Sequence, residues 1–209
     1  MPRTARQLID GHTYHVMNRS VGGHTLFKKE QDYRVFINLL RKGKEKYPIK
    51  IFAYCLMPNH YHLVVQLINA DNLSRLLRWL MTTHARRYHQ HYQSCGRLWQ
   101  GRYKSFIIQE DHHLLTVLRY VEGNPVRAGL ASSAKDWPWS SHRERVALDM
   151  GLIAEVPVDL PEDWTGYVNE PLTAKELERL RSSVVHQLPY GSTKWRSELS
   201  LRRMPFSSQ

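Results

Sequence analysis

The stretch IKIFAYCLMPNHYHLVVQL, Ile49 to Leu67, decides the reading of this chain. β-Branched and aromatic residues fill both halves and only Pro58-Asn59 parts them. The segment therefore predicts a β-hairpin, with Ile49–Met57 as one strand and His60–Leu67 as the other. Side chains alternate along a strand, so His60 and His62 project from one face and Tyr61 from the opposite one. Two imidazoles on one face can share a metal ion. The plainer alternative is a pair of strand histidines with no ligand role.

Before the hairpin, His12–Ser20 alternates well enough for a strand, and Gly22-Gly23 marks a turn. Tyr33, Phe36, Ile37 and Leu40 then recur at helical spacing until Pro48. After the hairpin, Leu73, Leu76, Leu77, Leu80 and Met81 form the apolar stripe of a long helix whose other face is basic. Residues 97–109 read as extended, and Asp111 as the N-cap of a helix that Pro125 ends. The order β, α, β, β, α, β, α predicts an α+β fold: a ferredoxin-like or RRM-like antiparallel sheet with helices on one face. We read residues 1–150 as the main domain. Residues 151–209 form an acidic linker or wrapping strand and a C-terminal helical extension, whose helix is signalled by Thr173 and Glu176 as a capping box.

The chain has 209 residues and a formal charge of +11. The excess is confined to residues 1–150, with 23 Lys/Arg against 11 Asp/Glu, whereas 151–209 carry 7 against 8. Such a surplus points to a polyanionic partner, nucleic acid first, gripped within the first 150 residues. No apolar run approaches the ~18 residues of a membrane span, and no signal-like segment opens the chain. A cytoplasmic, nucleoid-associated protein with no membrane partner and no small-molecule substrate is expected. Cys55 and Cys95 read as ordinary reduced thiols.

In RYVEGNPVRAGL (Arg119–Leu130), Tyr120 and Asn124 are four apart and share one side of a helix end, subject to the bias of a pre-proline residue out of helical geometry. Arg75, Arg78, Arg86 and Arg87 line the polar side of the long helix, while Arg97, Arg102 and Lys104 flank Trp99 and Tyr103. Cations interleaved with rings suit unpaired nucleotides, whose backbone binds the charge and whose bases stack; Arg19 joins this DNA-binding set. His84, His89 and His91 read as surface residues, and His112 and His113 as helix-start polarity.

MPNHYHLVV, WQGRYKSF and RYVEGNPVRAGL, in that order, resemble the single-tyrosine HUH transposases, most closely the REP-associated tyrosine transposases. The resemblance spans roughly Tyr14 to Leu130 and extends more weakly to VVHQLPYGSTKW. It implies Tyr120 as a nucleophile forming a 5′-phosphotyrosine intermediate. It also implies His60, His62 and Asn124 as ligands of Mg²⁺ or Mn²⁺, and single-stranded, hairpin-containing DNA as substrate. Glu122 stands where the family often has a histidine, so it competes with Asn124 as third ligand. A monomer is favoured over a homodimer. Two rivals are a non-cleaving nucleic-acid-binding regulator on the same fold and a phosphohydrolase in which water attacks. The acidic 151–170 segment and the helix after it are further expected to lie over the DNA channel and restrain activity.

Overall fold

The computed structural model describes residues 8–147 and 151–202. A four-stranded antiparallel sheet is built from β1 (Thr13–Arg19), β2 (Lys50–Met57), β3 (His60–Gln66) and β4 (Lys104–Ile108), in the order β2-β3-β1-β4. The hairpin forms as expected, with Met57 opposite His60 and a register shift between Ile51 and Ala53. The α+β class of the sequence reading is therefore correct, but the helices occupy both faces rather than one. β2 and β3 are buried nearly end to end, the mark of strands covered on two sides.

On the first face, Tyr14, Val16, Tyr61, Leu63 and Val65 meet α1 (Glu30–Lys46) and α2 (Ala70–Tyr92). These helices approach closely because Gly43 of α1 leaves room for Trp79; a Cβ there would lie 3.2 Å from the indole. On the second face, Ala53, Cys55, Val64, Phe106 and Ile108 meet Leu114, Val117, Leu118 and Val121 of α3 (His112–Glu122). Asp111 caps α3, accepting from the His113 backbone N–H at 2.8 Å. Cys55 is buried, Cys95 is exposed, and both are free thiols.

A short α4 (Asn124–Arg127) follows α3, and the remainder wraps this frame as α5 (Ser141–Val146), α6 (Trp164–Asn169), α7 (Ala174–His186) and α8 (Thr193–Arg202). It also covers both sheet edges. Along β2, Leu56 N donates to Trp139 O and Ala154 N to Ile51 O. Along β4, Tyr190 N donates to Ile107 O and Gln109 N to Tyr190 O, a parallel bridge. Backbone groups that these edge strands would otherwise present at Ile51, Leu56 and Ile107 are thus paired within the chain. Residues 152 and 153 are buried under α1 and β2, and residues 154–160 pack toward α3. The 151–170 segment accordingly runs along the sheet edge as a loop that ends in α6, not over the arginine-bearing helix, whereas the end of the following helix, α7, lines the groove of Arg19, Arg102 and Lys104.

Candidate active site

Strand register sets the site. Arg19 lies opposite His60, Met17 opposite His62 and His15 opposite Val64, so all of these share the face that α3 covers. The rings of His60 and His62 are 5.0 Å apart at 82°. The Tyr120 ring, on α3, stands edge-on to His62 at 5.7 Å. The sequence-derived histidine pair and the tyrosine, 58 residues apart in sequence at their nearest, are therefore brought together.

Each imidazole is engaged through Nδ1. His60 Nδ1 meets Asn59 Oδ1 at 2.6 Å, and His62 Nδ1 meets His15 Nε2 at 2.8 Å. The Nε2 atoms are thereby left outside these contacts, where they could serve as ligands. Burial holds both rings neutral, as ligands must be. It pushes His60 down to about 4, helped by the Arg19 charge, and His62 well below the ordinary histidine value, helped by His60. His15 is pushed down to about 3 for the same reason.

Asn124 and Glu122 fare differently. The Glu122 carboxylate is fully buried and accepts from Ser141 Oγ (2.6 Å), Trp164 Nε1 (2.7 Å), Arg145 Nε (3.1 Å) and His142 Nδ1 (3.1 Å). Burial opposes its charge, but His142, Arg145 and Ser141 outweigh that cost and hold it below the usual carboxylate range. With its lone pairs spent, it is unavailable to an ion. Asn124 Nδ2, by contrast, is buried without a hydrogen-bond partner. An amide whose nitrogen and oxygen exchange by a flip can offer oxygen at that position. The two residues are also separated by a break: α3 ends at Glu122, and a Cβ on Gly123 would lie 2.9 Å from Arg119 O and 3.0 Å from Val168 O. Asn124 therefore opens α4 rather than sharing α3's last turn with Tyr120.

Among the basic residues, Arg19, Arg75, Arg78, Arg86, Arg87, Arg97, Arg102 and Lys104 are exposed. A groove of about 680 Å³ on the α2 side is lined by Ser74, Arg75, Arg78, Met81, Arg102 and Tyr103. A second, of about 550 Å³ on the histidine face, is lined by Met17, Arg19, Arg102, Lys104 and the end of α7. Arg102 belongs to both, so it forms the rim between them. Trp99 needs correction. Its ring is 5% exposed and packs on Phe36, Tyr61 and His84, where no base can stack. Tyr103 is nearly as buried, with its hydroxyl on Ser74 Oγ, and contributes only an edge to the groove. His84 is likewise a core residue, 3% exposed, continuing the Leu73–Leu80 stripe.

Two residues beside the site escaped the sequence reading. Arg127 lies over the Tyr120 ring, 4.3 Å from its centroid, and donates to Tyr120 O. His15, whose β1 position alternates onto the histidine face, had strand periodicity as its only signal.

A family profile described as "Transposase IS200 like" matches residues 9–124, more than half of the chain. The chain belongs to this transposase family. A Haemophilus influenzae protein described as a REP-associated tyrosine transposase is 34% identical over 143 residues, covering 63% of this chain and 75% of the relative. An Escherichia coli REP-associated tyrosine transposase is 28% identical over 144 residues, covering 66% and 76%. Among solved structures, a REP-associated tyrosine transposase bound to a REP hairpin aligns with a TM-score of 0.59 at 21% identity, covering 83% of this chain and all of that one. It shares the fold. As in this transposase family generally, the product of such a site is a cut DNA strand. No helix among the described residues is long and apolar enough to cross a membrane.

The buried histidines make acid stability a test of the site. His15, His60, His62 and His84 are all pushed below the ordinary value of 6.5 by burial. Below pH 6.5 the unfolded chain binds protons that the native chain refuses, so stability falls on acidification. Each proton withheld costs about 1.4 kcal/mol per pH unit. Urea midpoints in EDTA should therefore drop steeply from pH 6.5 toward 4 and stay nearly level above 7. A flat profile would refute the buried, neutral assignment.

Proposed function

We propose that this transposase cuts and rejoins single-stranded DNA at the foot of a hairpin, with Tyr120 as nucleophile and His60, His62 and Asn124 as the ligands of Mg²⁺ or Mn²⁺. The observation that carries the reading is Tyr120 edge-on to His62 beside a second imidazole on the same strand face. Two neutral nitrogens and an amide oxygen suit Mn²⁺ and, with added waters, Mg²⁺. An ion bound there neutralises a non-bridging phosphate oxygen and orients the scissile group.

Tyr120 Oη attacks phosphorus and gives up its proton as the P–O3′ bond breaks. A 5′-phosphotyrosine is left on the enzyme and a 3′-hydroxyl on the departing strand. Phenol is a weak nucleophile at neutral pH, and the Arg127 guanidinium lies over its ring, 4.3 Å from the centroid, beside the attacked phosphate. Reversal with another 3′-hydroxyl rejoins DNA without ATP, because the covalent bond conserves the energy. Arg19, Arg102 and Lys104 grip the single strand beside the site, and Arg75 and Arg78 hold backbone across the rim. The names of the relatives support a REP-like hairpin as substrate.

The test is covalent trapping with a hairpin oligonucleotide carrying a single-stranded flank. With Mn²⁺ an adduct that survives denaturant is expected. EDTA should abolish it, and His60→Ala or His62→Ala should lower its rate roughly 100-fold or more. Cleavage without an adduct would instead favour attack by water, and binding without cleavage would favour the regulator.

A further inference from the structure

His62 reaches the ion only as one of its two neutral tautomers, and its own contacts bear on which. His60 sets the pattern. Asn59 Nδ2 donates to Gly23 O at 3.0 Å, which turns Asn59 Oδ1 toward His60 Nδ1. A carbonyl oxygen only accepts, so His60 carries its proton on Nδ1 and a lone pair on Nε2. The corresponding partner of His62 Nδ1 is another imidazole, His15 Nε2, at 2.8 Å. One proton lies between them. If His15 donated it, His62 would carry its own proton on Nε2 and present no lone pair. If His62 donates, Nε2 is free.

We infer that His15 is the positioning residue of the metal site, accepting the Nδ1 proton of His62 through Nε2 and so turning the His62 Nε2 lone pair toward the ion. This rests on the metal site proposed above. Two observations carry it, and a third sets its cost. First, His15 and His62 are diagonal neighbours on adjacent strands, His15 opposite Val64 and Met17 opposite His62, so the backbone ladder fixes their separation. Second, Phe106 packs on the His15 ring at 4.8 Å and the ring is 1% exposed, so neither rotation nor water offers His62 another partner. Third, His15 Nδ1 is buried with no hydrogen-bond partner. In the inferred arrangement that atom holds the second proton as an unpaired buried donor, a cost set against the lone pair freed on His62 Nε2.

The test uses the full chain and Mn²⁺ alone, titrated by the fall in the free-ion spin-resonance signal. His15→Leu should weaken Mn²⁺ binding roughly 10- to 100-fold. His15→Gln, whose amide oxygen can take the place of Nε2, should stay within about threefold of the parent. Hairpin binding in EDTA should be unchanged in both. In the parent loaded with diamagnetic Zn²⁺, ¹⁵N imidazole spectra should place the His62 proton on Nδ1. A folded His15→Leu chain that binds Mn²⁺ as tightly as the parent overturns the role of His15 and leaves the site standing. Equal affinity in His62→Ala overturns the site and the role together. If the leucine variant does not fold, the spectra decide, and a proton on His62 Nε2 overturns the inference.

Discussion

Tyr120→Phe should lower strand cutting by at least roughly a thousand-fold, the scale on which removing a nucleophile acts, while hairpin affinity stays within about twofold of the parent. The substitution deletes one oxygen and keeps the ring. The ring's packing against His62 and its place beneath Arg127 survive, and neither groove lined by the exposed arginines includes Tyr120. The helix that carries it is tied down elsewhere: Arg119 donates to Glu170 O at 2.9 Å and to Pro171 O at 3.1 Å. A gel resolving denatured adduct, free strand and shifted hairpin measures all three quantities. Cleavage that continues in the phenylalanine variant would remove Tyr120 from the mechanism.

The largest stability effect is expected at Glu122. Its carboxylate collects four donors from Ser141, His142, Arg145 and Trp164, which belong to α5 and the start of α6. Glu122→Gln has the same shape but leaves the buried Arg145 guanidinium without its counter-charge and turns an amide N–H₂ toward donors. Breaking a buried pair in this way costs about 3–5 kcal/mol, measurable as a shift in the urea midpoint. A loss below about 1 kcal/mol, the range of exposed pairs, would mean that the network does not hold α3. Because Glu122 ends the tyrosine helix, the same variant should slow cutting at temperatures where it is still folded. Tyr120→Phe separates from it cleanly, since it lowers chemistry without moving the urea midpoint.

His60 and His62 were legible because a strand's two-residue period fixes which side chains share a face, and the tight Pro58-Asn59 turn pins that period. Motif order pointed to Tyr120, whose ring the fold brings beside His62. What failed was everything that depends on the third dimension of a mixed surface. Trp99 between arginines looks like a base-stacking platform, yet Phe36, Tyr61 and His84 enclose it. His84 sits on an arginine-rich helix, but it extends the Leu73, Leu76, Leu77, Leu80 stripe by one turn, and that spacing was the better guide. Glu122 carries no sequence mark distinguishing a metal ligand from a buried hub, because its partners lie 19 to 42 residues downstream. Helices on both faces were foreshadowed by the near-continuous apolar runs of β2 and β3, which a one-sided sheet does not need.

The closure of the sheet edges bears on how the chain is made. β2 and β3 leave the ribosome early, yet the partners of Ile51 and Ile107 are Ala154 and Tyr190. For much of synthesis the nascent chain therefore carries two open strand edges and an apolar face awaiting Trp164 and Leu180. Contacts this distant along the chain slow folding and lengthen exposure to edge-to-edge association. The production of soluble enzyme should accordingly depend on translation running through the tail, and chains stalled before residue 190 should be the ones that aggregate or are claimed by chaperones.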